Sequence, residues 1–297
     1  MASDVAVPIA NRGWDRAEQS VLWLLWGIIR RQPFTLACLV VLIAIVLVAI
    51  FAGQIAPYDP VAQSILSVNQ LPSAKHWLGT DQLGRDVLSR IIFGARASLV
   101  LGVSAPVLAA LIGTFLGLVG GYFGGWPDRA IGRVIDLLLA FPALLLGIIV
   151  AAALSSGFWS MLTVLIIAFA PRFARIARAS TLALRQAPFV EAAIAAGLGH
   201  GVILHRHILP NIIGPIVVVL TLWIATAIRL EATLSFLGLG TRPPQPSWGN
   251  IIRDGLNAMF GSPWPIIGAG LAITVTVLAM NMVGDAVRDV LDPDTRE

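Results

Sequence analysis

Charge is scarce in this chain of 297 residues: only 12% of positions are Asp, Glu, Lys or Arg, against 57% that are apolar. Soluble domains carry about 25% charged residues, so there is roughly half the charge needed to cover a globular surface, and the composition is that of a membrane protein. Cysteine is nearly absent. Cys38 stands alone, which excludes an internal disulfide and any paired-cysteine redox or zinc site. Lysine is just as rare, with Lys75 in Pro-Ser-Ala-Lys-His as its single occurrence. A phosphate-binding Walker A loop needs Gly-x-x-x-x-Gly-Lys-Ser/Thr, so the chain does not hold ATP by that loop. Nor is any stretch polar enough to form the basic, water-facing domain of a nucleic-acid binder.

What is present is a series of uncharged runs near the ~20 residues that cross a bilayer. Phe34 to Gly53 is the first, too long and too far from Met1 for the apolar centre of a signal peptide, and is expected to be an uncleaved span. Ala97 to Pro127 exceeds one crossing. Leu137 to Pro171 suffices for two if the chain turns at Ser155-Ser156-Gly157, and Ile208 to Ile228 and Trp264 to Gly284 complete six. The predicted organisation is an all-α polytopic protein: tail 1–33, span 34–53, external loop 54–95, a core over 96–284 and tail 285–297. The core includes a cytoplasmic segment 172–207 and an external loop 229–263. Thirteen arginines fall on the side of the two tails and six Lys or Arg in the opposite loops, with Arg96 at a boundary, so the positive-inside rule predicts cytoplasmic termini.

Small residues are what let helices approach in lipid. Gly113, Gly117, Gly121 and Gly125 recur at every fourth position and predict a packing face, either against a helix of the same chain or against a partner or pore. Pro106, Pro142 and Pro215 fall inside the runs and predict kinks. Asp136 and Arg133 are spaced to pair on one helix. Arg229 and Glu231 fall just beyond the fifth run, and no run carries the mid-membrane acid or histidine that a proton relay requires. Arg242-Pro-Pro-Gln-Pro-Ser-Trp248 is stiffened by three prolines. His205 and His207 flank Arg206, too few for a metal site.

The cytoplasmic segment holds the most informative stretch, Ala187-Pro-Phe-Val-Glu-Ala-Ala-Ile-Ala-Ala-Gly-Leu-Gly199. Pro188 suits a first helical position, Glu191 suits the positive end of the helix dipole, and Gly197 or Gly199 can supply a left-handed cap. The alanine-rich body makes a narrow rod suited to a groove on another protein, and it lacks the basic face of a helix resting on lipid.

Glu191-Ala192-Ala193, then Gly197, then Ile208-Leu209-Pro210 after ten intervening residues, resembles the Glu-Ala-Ala motif of the membrane subunits of ATP-driven (ABC) importers. His76-Trp-Leu-Gly-Thr-Asp-Gln-Leu-Gly-Arg-Asp-Val-Leu-Ser-Arg90, Leu234-Ser-Phe-Leu-Gly-Leu-Gly240, Pro246-Ser-Trp-Gly-Asn250 and the Gly284 to Pro293 stretch are similar to the C-type permeases of the dipeptide/oligopeptide/nickel branch. Many relatives place an arginine after the glutamate where this chain has Ile194 and Ala195. The resemblance implies a bacterial inner-membrane subunit that is not itself an enzyme and holds no cofactor. It implies a heterodimer with a B-type permease, two ATPase subunits that bind ATP and Mg, and an external solute-binding protein that delivers a peptide-like solute. It further implies that Glu191, Ala192, Ala193, Gly197, Leu198 and Gly199 couple to the ATPase. Trp77, Pro244, Pro246 and Trp248 are expected to form an external contact for the binding protein. A proton-coupled secondary transporter is the alternative.

Overall fold

The computed structural model describes residues 33–291, side chains through Asp289, and is helical with no strand among them. The helices are α1 (Pro33–Ile50), α2 (Val87–Phe123), α3 (Gly125–Ala140), α4 (Ala143–Ala153), α5 (Phe158–Arg185), α6 (Pro188–Ala195), α7 (Leu209–Phe236), α8 (Trp248–Gly255) and α9 (Trp264–Leu291). Five of the spans are long and apolar enough to cross a bilayer, and α3 with α4, bent by 99° at Phe141-Pro142, make a sixth if counted together. Helices suit this setting because lipid offers their backbones no hydrogen-bond partner. The expected tails at 1–33 and 285–297 lie largely outside the described residues.

The tightest helix pairing is α2 against α5. A Cβ at Gly113 would stand 2.4 Å from the Ala170 carbonyl oxygen, one at Gly117 2.5 Å from that of Ala174, and one at Gly121 2.9 Å from that of Arg178. Both partners advance by four residues per step, so the two helices run parallel. The α3–α4 pair must then carry the chain back between them. The predicted glycine face is thus a contact within the chain, but Gly125 is not on it. Gly124, at φ +66°, ends α2, and Gly125 opens α3 with no atom within 4 Å of its Cβ position.

The remaining directions follow from similar contacts. Arg96 donates to the carbonyls of Ala49 and Ile50 at 3.1 and 2.9 Å, which caps the C-terminus of α1 with a cation as the helix dipole favours. Gly268 of α9 packs on Ile91 and Gly284 on Thr221 and Leu222. Pro33 and Leu291 therefore both lie toward the end of the bundle that carries α6.

Several helices outrun their uncharged cores, because their charges are paired or buried rather than left in a loop. α2 starts at Val87, inside the expected loop 54–95; α5 continues to Arg185, inside the expected segment 172–207. α7 runs to Phe236, so Arg229 and Glu231 are in the helix rather than beyond it. Glu231 is wholly buried: one carboxylate oxygen accepts from Ser235 Oγ at 2.7 Å and the other has no partner among the described residues. Asp136 pairs with Arg175 at 2.8 Å and not with Arg133. Pro142 sits at the α3–α4 break, where the chain bends by 99° as a kink at this proline predicts.

At the opposite end from α6, the 76–90 motif folds around its own charges. Asp86 caps α2 by accepting from Ser89 N and Oγ at 2.8 and 2.7 Å, and its other oxygen pairs with His76 Nδ1 at 2.9 Å. Asp81 accepts from Arg85 Nε at 2.7 Å and pairs with Arg90 at 3.4 Å, and both arginines reach Asp254 of α8 at 3.3 and 3.2 Å. Ser247 and Asn250 form a reciprocal cap at the start of α8, and Gly249 lets it press on Ala232 of α7.

Three substitutions test this packing. Gly117→Val is expected to lower stability by about 1–3 kcal/mol through overpacking, read as a lost monodisperse peak and lower melting temperature in detergent. Gly132→Ala, where a Cβ meets nothing within 4 Å, is expected to be neutral or stabilising. Asp81→Asn leaves two buried arginines short of their anion and is expected to cost about 3–5 kcal/mol in the same assay.

Candidate coupling site

α5 ends at Arg185, and after two intervening residues Pro188 opens α6 at its first position, where the missing N–H costs no bond. The first turn closes by Val190 N and Glu191 N donating to the Ala187 carbonyl at 2.9 and 3.1 Å. At the other end Gly197 adopts φ +75°. Leu198 N donates to the Ala193 carbonyl at 3.2 Å and Gly197 N to that of Ile194 at 2.9 Å, the paired bonds of a Schellman cap. Gly199 then starts a further turn, His200–Val202, that runs into a wide π-helical stretch, Ile203–Ile208, and α7.

α6 has two faces. Val190 and Ala193, three residues apart, are buried in the same core cluster as Phe173, Ile203 and Ile208. The other face presents Phe189, Ala192, Ile194, Ala195 and Leu198, all exposed. Glu191 is exposed and enters no ion pair among the described residues. An unpartnered apolar strip with a single anion at the helix start is a surface that can receive an apolar groove with a cation at one edge.

The segment is tied to the bundle by a contact that no spacing rule announces. Tyr122, at the end of α2, places its hydroxyl 2.9 Å from His200 Nδ1, and Phe123 meets the same imidazole edge-on at 5.8 Å between centroids. The tie joins residues 78 apart. The Gly113–Gly121 contact sets where α2 ends beside α5, so this tie fixes the height of α6 relative to the tightest helix pair in the molecule.

The structure brings Glu191, Ala192, Ala193, Gly197, Leu198 and Gly199 together on one short element. It does not bring the expected external contact together. Trp77 is 73% exposed and Pro244 is exposed, but Pro246 is buried and Trp248 is 1% exposed. Trp248 donates its indole N–H to the Ile91 carbonyl at 3.1 Å and packs with Ala95 and Ile251. It is a core residue because Ser247 turns the chain inward to start α8. His205 and His207 belong to no group of three or more potential metal ligands among the described residues.

Comparisons with known proteins bear on the family and the fold. The family described as the binding-protein-dependent transport system inner membrane component matches residues 109–297, and the N-terminal TM domain of oligopeptide transport permease C matches 20–72. The glutathione transport system permease protein GsiD of Escherichia coli O157:H7 is 45% identical over 271 residues, 90% of this chain and 89% of that protein. The dipeptide transport system permease protein DppC of Alkalihalophilus pseudofirmus is 40% identical over 265 residues, 89% of this chain and 87% of that one. Among solved structures, the inward-facing MetNI methionine ABC transporter aligns with a TM-score of 0.55 at 18% identity over 68% of this chain and 96% of that one, a likeness of fold.

Removing the anchor while keeping its ring tests the tie. Tyr122→Phe is expected to weaken the attachment of residues 188–208 by about 0.5–1.5 kcal/mol, seen as faster amide hydrogen exchange there and unchanged exchange in α9.

Proposed function

The chain belongs to the family of binding-protein-dependent transport inner membrane components, permease subunits of ABC importers, and from that premise we propose that α6 is the lever through which ATP-driven motion reaches the transport path. The observation that carries this reading is the exposed apolar face of α6 with Glu191 at its start, held at a fixed height by Val190, Ala193 and the Tyr122–His200 bond. A ligand shifts a two-state equilibrium only by its differential contact with the two states. A segment rigidly joined to α5, α7 and α2 transmits such a contact, whereas a loose loop would absorb it.

In this reading the chain pairs with a related B-type permease to enclose the path. Two ATPase subunits bind ATP and Mg beneath α6, and a solute-binding protein docks on the opposite face, where Trp77 and Pro244 are exposed. The protein lies in the bacterial inner membrane with α6 and both termini in the cytoplasm. The support for that orientation is the excess of arginine on the α6 side. The cargo is glutathione or a short peptide, by analogy with the named relatives. The chain performs no catalysis itself. A proton-coupled carrier is set aside, since the family is driven from separate ATPase chains.

Two variants test the lever. Glu191→Ala removes a charge-assisted contact worth about 1.5–3 kcal/mol, and Gly197→Asp strains the cap that needs positive φ. Both are expected to insert normally while uptake and cargo-stimulated ATP hydrolysis are lost in proteoliposomes containing the whole complex. Normal transport by both would overturn the assignment. Mass spectrometry of the ligand held by the co-purified binding protein tests the cargo; a sugar in place of a thiol peptide or short peptide would reject that part.

A further inference from the structure

We propose that the cleft between α3 and α5 binds the phosphate headgroup of an anionic phospholipid. The cleft measures about 240 Å³ and is lined by four arginines, Arg129, Arg133, Arg175 and Arg178, with two aspartates. The aspartates are already committed: Asp128 takes Arg178 in a two-point pair, with Nη2 to Oδ2 at 2.8 Å, and Asp136 takes Arg175 at 2.8 Å. Arg129 is left with a single bond from Nε to the Gly125 carbonyl at 3.2 Å, and Arg133 has no acidic partner among the described residues. These two guanidinium groups stand one turn apart on α3, where like charges repel. An anion between them would relieve that repulsion.

The surroundings select among anions. Gly132, beside Arg133, also lines the cleft, and its Cβ position has no atom within 4 Å, so the cleft is open there. Trp126, one turn before Arg129, is 75% exposed, and Val134 and Leu137 are exposed just beyond Arg133. Tryptophan at an interface, arginines beside it and apolar side chains beyond reproduce along one helix the order of a lipid molecule, with headgroup first and acyl chain after. A free phosphate would have no use for the apolar flank. A protein partner would be expected to bring acids of its own to the arginines rather than a tail to Val134 and Leu137.

The test is native mass spectrometry of the complete transporter with equal added phosphatidylglycerol or phosphatidylcholine, for the wild type, Arg129→Gln/Arg133→Gln, and Arg129→Lys/Arg133→Lys. Neither arginine neutralises an aspartate, so the Gln pair leaves no buried anion stranded, and the Lys pair keeps the charge. Wild type and the Lys pair are expected to retain phosphatidylglycerol over phosphatidylcholine. The Gln pair is expected to retain about thirtyfold less of it, two basic residues at about 1 kcal/mol each. Equal phosphatidylglycerol on wild type and the Gln pair overturns the proposal. So does its full displacement by inorganic phosphate, which would make the cleft a free-anion site. Loss of the second permease from the Gln pair with the lipid still bound would assign the cleft to a protein contact instead.

Discussion

In lipid, apolar side chains gain little by leaving the solvent, so helices hold together best where their backbones can come close. The approach of α2 to α5 at Gly113, Gly117 and Gly121 is that place in this chain, and much else is set by it. It fixes the two helices as parallel and in one register. The intervening α3 and α4 then form the return path, and the end of α2 lies beside the end of α5. The proposed coupling segment begins at that point.

Charge is used sparingly and in two ways. At the loop end Asp81, Arg85, Arg90 and Asp254 neutralise one another and join the 76–90 motif to α8. Their value lies in holding two distant segments in place, since removing one partner leaves another charge buried. At the α6 end the charges are only partly compensated: Glu191, Arg129 and Arg133 face outward without a partner acid or base among the described residues. A chain with so few charges leaves these on the side where the proposed ATPase and lipid contacts lie.

The proposed coupling segment combines a rigid attachment with a bare outer face. Val190 and Ala193 anchor one side, the Gly197 cap stops the helix after two turns, and His200 bonds to Tyr122. Phe189, Ile194 and Leu198 are left exposed. The outer face carries no cation, and a groove that receives it would rely on shape and on Glu191.

The apolar helical runs, the short helix with Pro188 and Gly197 at its ends, and the glycine face from Gly113 to Gly121 were readable in the sequence, because each rests on spacing along one helix or on a residue's own backbone preference. The helix limits were misjudged wherever a charge ended an uncharged run. Arg90 and Arg178 pair with Asp254 and Asp128 at distant positions, and Glu231 is buried within α7. Trp248, expected in an external contact, is in the core because the Ser247–Asn250 cap turns it inward. The Tyr122–His200 tie, the fourfold Asp81–Arg85–Arg90–Asp254 cluster and the α3–α5 cleft were decided by tertiary structure alone, since each joins residues from separate elements and no periodicity along a single chain encodes which helix stands beside which.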